Sequence, residues 1–150
     1  MKSHNYLPAS WQYFLLGVLL WILVDFGTAG GFRFAYFQEF GATLLFFYLG
    51  FPLIFTLLIF RLKWNVRCLF FATLIEIFIV EVLFTRNPLI MSYPALLWGI
   101  PLAILVYLPL TYFPLWIVRK EIGRHRFQFI GLSVVEVIIM WLTTFGSAPS

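Results

Sequence analysis

The sequence predicts an all-α membrane protein, a bundle of five transmembrane helices that forms a single domain over residues 1–150. Composition is the first reason: of the 150 residues, 63% are hydrophobic and only 11% are charged. These charged residues are too few to cover the surface of a water-soluble protein. Apolar runs are the second. Five of them approach or reach the roughly 20 helical residues that cross a bilayer. The third is that the basic residues fall in short clusters between these runs.

The five predicted spans follow the apolar runs in order. They lie near residues 9–26, 41–60, 68–85, 94–118 and 127–145. Asn5 and Pro8 favour a helix start at the first run, because a polar cap and a proline in the first turn both suit one. A secretory signal peptide is the alternative, since Lys2, the apolar run and the small residues after it imitate its three parts. We expect a retained helix.

The basic residues predict the orientation of the bundle. Most of them follow the even crossings or precede the first: Lys2, Arg61, Lys63, Arg67, Arg119, Lys120, Arg124 and Arg126. Arg33 and Arg86 lie on the other side. The positive-inside rule then predicts a cytoplasmic N-terminus and an external C-terminus in a multi-pass protein of the cell membrane. We expect Arg119, Lys120, Arg124 and Arg126 to contact anionic lipid headgroups.

Residues 27–40 are predicted to connect the first two spans within the outer membrane interface. Their aromatic residues are too apolar for a free loop and too few to span. A group of charged residues is expected near this connector, comprising Asp25, Arg33, Glu39, Glu81 and Arg86. These charges can offset one another's desolvation. The alternative is that each is solvated separately among the headgroups.

Prolines predict kinks in the fourth helix. They are Pro94, Pro101, Pro109 and Pro114. Each interior proline removes one backbone donor and disturbs the carbonyl four residues before it. The freed carbonyls need partners, for which the hydroxyls of Tyr107 and Tyr112 are candidates. Broken helices of this kind line sites in transporters, whereas simple bending around a neighbouring helix is the alternative.

Three glutamates lie inside the apolar runs. From the helical rise, Glu76 and Glu136 lie roughly 12 to 14 Å from the inner ends of their spans, and Glu81 lies about 20 Å out. Glu76 and Glu81 are about 140° apart on an α-helix, so they cannot form one carboxyl pair. Thr73 precedes Glu76, and Ser133 precedes Glu136, by three residues, so each pair shares a helix face. These polar faces predict an interior site formed by the third and fifth helices.

A carboxyl at mid-membrane depth without a basic neighbour is expected to be protonated, because desolvation disfavours its charged form. It can bond to a hydroxyl, or Glu76 and Glu136 can share one proton and titrate as a coupled pair. Both arrangements suit proton relay, cation coordination or acid catalysis. Both equally suit a structural hydrogen bond or a contact with another subunit.

Several functions lack their sequence signatures. No HExxH, Walker, GxSxG or GxGxxG motif occurs. Cys68 is the single cysteine, and His4 and His125 lie outside the predicted spans, so neither a metal site nor a haem is predicted. No other cofactor is predicted, although the aromatic residues are compatible with a bound lipid. The clustered bases indicate membrane topology and not nucleic-acid binding.

Three hypotheses for the function remain. The first is a subunit or assembly partner of a membrane complex, bound to another membrane protein or to a second copy of itself. The second is a proton- or cation-coupled transporter or channel that uses Glu76 and Glu136. The third is a lipid- or isoprenoid-modifying enzyme with a glutamate as general acid. The short length, the missing large loops and the lack of a catalytic constellation favour the first hypothesis, with the transporter or channel as the alternative and the enzyme as the second alternative.

Overall fold

The computed structural model describes residues 7–29, 34–86, 91 and 96–145, and over these residues the chain is helical without strands. Five α-helices form there: α1 Ala9–Ala29, α2 Phe34–Thr56, α3 Val66–Ile77, α4 Leu96–Val118 and α5 Arg126–Phe145. α2 continues as π-helix through Leu57–Arg61, and α3 continues as π-helix through Phe78–Phe84. The predicted all-α class is confirmed.

The connector between α1 and α2 is shorter than the sequence predicts. Of the interfacial segment expected at residues 27–40, Gly27 to Ala29 belong to α1 and Phe34 to Phe40 form the first turns of α2. A helix pairs its own backbone polar groups, so an apolar segment is more stable as helix than as loop wherever water does not reach its backbone. Arg33 lies outside the described residues, and Glu39 is described in its backbone alone.

Local interactions end the helices where the basic residues lie. Lys63 follows the π-helical end of α2 and adopts a left-handed backbone with φ 53°. Asn65 then caps α3, because its side-chain oxygen accepts the Cys68 N–H at 2.9 Å. Lys120, with φ 57°, ends α4 in the same way as Lys63 ends α2.

Ring and hydroxyl contacts show that neighbouring helices are antiparallel. The rings of Tyr13 in early α1 and Phe60 at the end of α2 lie 5.9 Å apart. The Tyr112 hydroxyl of late α4 donates to the carbonyl of Val66, which begins α3. Phe113 of α4 stacks on Phe129 of early α5 at 4.3 Å. These ends therefore form one face of the bundle, which we call the basic end.

The opposite ends of the helices also meet. The Tyr48 hydroxyl of α2 donates to Asp25 of α1 at 2.6 Å. Phe47 of α2 lies 5.0 Å from Phe84, which ends the π-helical part of α3. The result is an up-and-down bundle with alternating helix directions. It places the exposed Arg61, Lys63, Arg67, Arg119, Lys120, Arg124 and Arg126 at the basic end, away from Asp25 and Glu81.

α1 and α4 form the centre of the bundle. α1 packs along α2, α4 and α5, and α4 packs along α1, α3 and α5. α3 and α5 both lie against α4, but they are not among the helix pairs with extensive contact. At the α1–α2 crossing, Gly17 lies directly on Pro52, and a Cβ at Gly17 would lie 3.1 Å from the proline ring. The small residue thus permits the close approach.

The surface is apolar and the interior holds acids. Large apolar side chains are exposed on all five helices, for example Leu19, Leu53, Phe71, Leu102 and Val137. Glu76 and Glu136 are buried. Among the described residues, one helical stretch, Leu97–Val118, is long and apolar enough to cross a membrane. Ala9–Asp25 and Leu45–Arg61 are shorter apolar helices.

Candidate functional site

Glu76 lies at the centre of the buried polar groups. Its side chain is 2% exposed, on the face of α3 that packs toward α1 and α4. The indole N–H of Trp21 in α1 donates a hydrogen bond to the carboxyl group. The second oxygen, Oε2, is buried and has no hydrogen-bond partner. One oxygen of this carboxyl is therefore hydrogen-bonded, and the other can accept a further partner.

Hydroxyl groups lie on the basic-end side of Glu76. Thr73, one turn earlier on α3, has its hydroxyl 3.0 Å from that of Thr111 in α4. The Thr73 hydroxyl also donates to the Leu69 carbonyl at 3.1 Å, so its single proton is used there and Thr111 is the donor between the two. The Tyr13 hydroxyl donates to the Thr111 carbonyl at 3.1 Å and lies within electrostatic range of Glu76.

A proline of late α4 lies beside this contact. Pro114 lacks an N–H and leaves the Leu110 carbonyl without its helical donor. Tyr13 donates to the next carbonyl, that of Thr111, and not to the carbonyl of Leu110. Tyr107 and Tyr112, the candidates from sequence, donate elsewhere, to Glu81 and to the Val66 carbonyl.

A second group of acids and hydroxyls lies on the other side of Glu76. The Tyr107 hydroxyl of α4 donates to Glu81 at 2.8 Å, and the Thr85 hydroxyl lies 3.4 Å from the second Glu81 oxygen. Tyr107 is within electrostatic range of Glu81, Glu76 and Asp25. Its ring packs edge-on against Trp21 at 5.5 Å. Thr85 is exposed, so this group reaches the surface.

The π-helical part of α3 explains how Glu81 joins this group. On a regular α-helix Glu76 and Glu81 would point to different faces, as the sequence argument predicts. Most of the interval between them is π-helix, in which hydrogen bonds join residues five apart, as in the Thr85 N–H to Val80 carbonyl bond of 2.9 Å. Residues five apart then lie closer to one face of the helix than they do on a regular α-helix. Both carboxyls accordingly act on Tyr107.

Together these side chains form a chain of polar groups along α1, α3 and α4, which we call the polar file. Its members are Tyr13, Thr111, Thr73, Glu76, Trp21, Tyr107 and Glu81. Among the described residues no hydrogen bond joins Thr73 to Glu76 or Glu76 to Tyr107. The Tyr13 hydroxyl likewise bonds to the Thr111 main-chain carbonyl and not to its hydroxyl. A proton would cross these three intervals by side-chain rotation or through a water molecule.

Glu136 lies in a different environment. Its side chain is 5% exposed, and both carboxyl oxygens are buried without a hydrogen-bond partner. Met140, one turn later on the same face of α5, packs on Gly27 of α1, so Glu136 faces α1. Ser133 uses its hydroxyl on the Phe129 carbonyl at 2.8 Å.

Glu76 and Glu136 make no hydrogen bond with each other. Both Glu136 oxygens and Glu76 Oε2 are unpartnered, and α3 and α5 pack on α4 instead of along each other. The alternative in which the two carboxyls share a proton is therefore not realised in this structure. Thr73 and Glu76 belong to the polar file, whereas Ser133 and Glu136 lie outside it.

Of the predicted outer charge group, the structure describes the side chains of Asp25, Glu81 and Arg86. Asp25 and Glu81 are within electrostatic range of each other, each bound by a tyrosine hydroxyl. Arg86 is exposed at the end of the π-helix, with φ 48°. Arg33 and the side chain of Glu39 lie outside the described residues. Among the residues that the structure describes, no group of three or more His, Cys, Asp or Glu side chains could hold a metal ion.

The predicted lipid-facing bases lie in and beside the turn between α4 and α5. Arg119, Lys120, Arg124 and Arg126 are all exposed there. Arg126 lies over the Phe127 ring at 4.8 Å, and Trp116 stacks on His125 at 4.8 Å. The rings give this turn an amphipathic surface.

Sequence reasoning missed most of the partners of Glu76. Trp21, Tyr13, Tyr107 and Thr111 come from helices whose neighbours cannot be read from the sequence. One signal was present: Trp21 lies inside an apolar run, where an indole N–H needs an acceptor. No protein-family model matches the chain, and neither does any curated protein or solved structure.

Proposed function

We propose that this chain is an integral protein that crosses the cell membrane several times. The distribution of its side chains supports the proposal, because large apolar residues cover all five helices while acids are buried, the reverse of a water-soluble protein. The charge distribution supports it too. Exposed bases gather at one end of the bundle, as on a cytoplasmic surface, and the Asp25–Glu81 pair lies at the other.

Within this membrane protein Glu76 carries protons along the polar file, which makes the chain a proton-coupled transporter or channel. The observation that carries the proposal is the setting of Glu76. Its carboxyl is buried, and one of its oxygens accepts a hydrogen bond from the Trp21 indole N–H, whereas the other oxygen has no hydrogen-bond partner. Hydroxyl groups lie on both sides of it along the bundle. Acids inside membrane proteins that lack a basic partner typically serve proton pathways.

The route runs between the two ends of the bundle. From the exposed Thr85 it passes Glu81 and Tyr107 to Glu76, and then Thr73, Thr111 and Tyr13 toward the basic end. Each hydroxyl and carboxyl on this route can both accept and donate a proton when the carboxyls are in exchange. Water or side-chain rotation is required at three intervals: the two beside Glu76, and the one between the Thr111 and Tyr13 hydroxyls, because Tyr13 bonds to the Thr111 main-chain carbonyl.

Proton flux into vesicles tests the role of Glu76. The purified protein is reconstituted into liposomes with an internal pH dye, and an imposed pH gradient is followed in time. We expect Glu76→Gln to reduce the flux roughly a hundredfold, the order of one lost proton-transfer group. Glu121→Gln, which removes a glutamate in the α4–α5 turn outside the file, is the matched control. Wild-type vesicles no leakier than empty ones contradict the proposal.

The orientation has its own test. Lys63 and Arg86 are a matched pair, since both are exposed, basic and left-handed, with φ 53° and 48°, at opposite ends of the bundle. Single cysteines are placed at each in a Cys68→Ser background. A membrane-impermeant maleimide added to intact cells should label Arg86→Cys and spare Lys63→Cys. Labelling of Lys63→Cys but not of Arg86→Cys in intact cells contradicts the orientation. If neither cysteine is labelled in intact cells and both are labelled equally after lysis, membrane insertion is contradicted.

A second candidate function, a subunit of a membrane complex, is favoured by Glu136. An unpartnered carboxyl inside an apolar helix is costly, and a polar group from another chain would relieve it. α5 also has exposed apolar residues, Val134, Val137 and Ile138, which lie on sides of the helix turned away from Glu136 and offer another chain a surface to pack against. Purification in mild detergent tests this candidate: a stoichiometric partner that Glu136→Leu releases supports it, and a protein that remains alone contradicts it.

A further inference from the structure

A groove opens at the basic end of the bundle because α3 and α5 both pack on α4 and leave a space between them. It has a volume of about 550 Å³. Leu108, Tyr112 and Trp116 of α4 form its floor. Its walls are Phe70 and Phe71 of α3 and Leu132 of α5, and Arg67 and Gln128 lie at the mouth.

The size of the groove limits what can fill it. The floor spans two turns of α4, roughly 12 Å, which is less than half of a hydrocarbon core of about 30 Å. A single extended hydrocarbon chain suits this length and the apolar lining. The groove is thus matched to a lipid tail.

The charges at the mouth select the headgroup. Arg67 is exposed at the mouth, and Arg124 and Arg126 are exposed in the neighbouring turn at the same end of the bundle. Basic residues beside a gap between membrane helices attract anionic headgroups more strongly than zwitterionic ones, whose phosphate charge is offset by their own cation. Gln128 can donate to a phosphate oxygen as well.

We infer that this groove, between α3 and α5, binds one acyl chain of an anionic phospholipid whose phosphate contacts Arg67. The inference rests on the proposed membrane location but not on the proton pathway.

A second groove on the other side of the bundle provides the control. It has a similar volume, about 540 Å³, lies between α1 and α2, and has Arg61 at its end. Its lining is more polar, because Ser10 and Thr56 contribute to it. Arg61 and Arg67 are therefore two exposed arginines at the same end of the bundle, each beside one groove.

Native mass spectrometry of the delipidated protein with phosphatidylglycerol or phosphatidylcholine tests the inference. We expect phosphatidylglycerol to bind about fivefold more tightly than phosphatidylcholine, and Arg67→Gln to abolish that preference. Arg61→Gln should leave it unchanged. Leu132→Trp, which fills the groove, should weaken the binding of both lipids. Arg67 is exposed, so its substitution should not disturb the fold.

Equal binding of the two lipids overturns the inference, as does a preference that survives Arg67→Gln or that Arg61→Gln removes equally. A dimer that Leu132→Trp dissociates, without lipid adducts, would assign the groove to a second copy and also overturn it. The maleimide labelling separates the two proposals: a chain that inserts into the membrane but shows no lipid preference contradicts this inference alone.

Discussion

Glu76 and Glu136 are both buried glutamates on helices that run in the same direction, yet their surroundings differ. Glu76 holds the Trp21 indole and lies between hydroxyl groups of α1 and α4. Glu136 faces α1 without a hydrogen bond to either oxygen. The two carboxyls are therefore alike in their position along the helix and in their burial. Only their hydrogen-bond partners distinguish a group that can relay protons from an isolated acid.

The difference arises from helix packing. α3 presents Glu76 to the two central helices at the level where Trp21, Thr111 and Tyr107 carry polar groups. α5 presents Glu136 to α1 where Gly27 and Met140 make an apolar contact. A buried acid becomes useful for proton transfer only where neighbouring helices supply donors and acceptors.

The largest expected effect concerns the contact that buries Glu136. A Cβ at Gly27 would lie 2.7 Å from Met140 Cγ, so Gly27→Val should force α5 from α1 and cost about 2 to 3 kcal/mol of unfolding free energy. Denaturant titration in detergent measures it. Gly131→Val is the control, because it places the same side chain on α5, the other helix of this contact, where a Cβ would meet no atom within 4 Å. If Gly27→Val also stops proton flux, the two regions are not independent.

The next effect is the difference in unfolding free energy between the Leu and Gln variants, which should have opposite signs at Glu136 and Glu76. Glu136→Leu should stabilise the protein by about 2 kcal/mol relative to Glu136→Gln, because nothing bonds to the polar group it removes. Glu76→Leu should instead be less stable than Glu76→Gln by about 1 kcal/mol, because it leaves the Trp21 N–H without an acceptor. The same titration measures both pairs. Equal signs at the two positions would remove the distinction drawn between them.

The smallest effect tests the hydroxyl part of the polar file. Thr73→Val and Thr111→Val break one hydrogen bond between α3 and α4. A double-mutant cycle should give a coupling of roughly 0.6 kcal/mol, the average for such bonds in membrane proteins. Ser133→Ala is the control, because its hydroxyl bonds only within its own helix. A coupling of zero would mean that the two threonines are neighbours without a shared bond.

Much of the fold follows from sequence patterns that are local. Apolar runs predict the helices, and their alternation predicts that the clusters around Arg61 and Arg124 lie at one end, as they do. Thr73 and Glu76 are correctly predicted to face inward, because three-residue spacing is a property of one helix.

What the sequence does not supply is the pairing between helices and the π-helical register. Ser133 and Glu136 have the same spacing as Thr73 and Glu76, but their helix packs against an apolar face. The position of Glu81 depends on hydrogen bonds to the fifth residue along Phe78–Phe84, which composition does not signal. Both features depend on contacts between segments distant in the chain.

The central claim is that Glu76, and not Glu136, carries protons. The most direct test is the ratio of proton flux in liposomes that contain Glu76→Gln and Glu136→Gln at equal protein density. Both substitutions remove one buried carboxyl and keep its shape, so they differ only in position. We predict wild-type flux for Glu136→Gln and a loss of roughly a hundredfold for Glu76→Gln. Equal losses, or a loss confined to Glu136→Gln, would contradict the account.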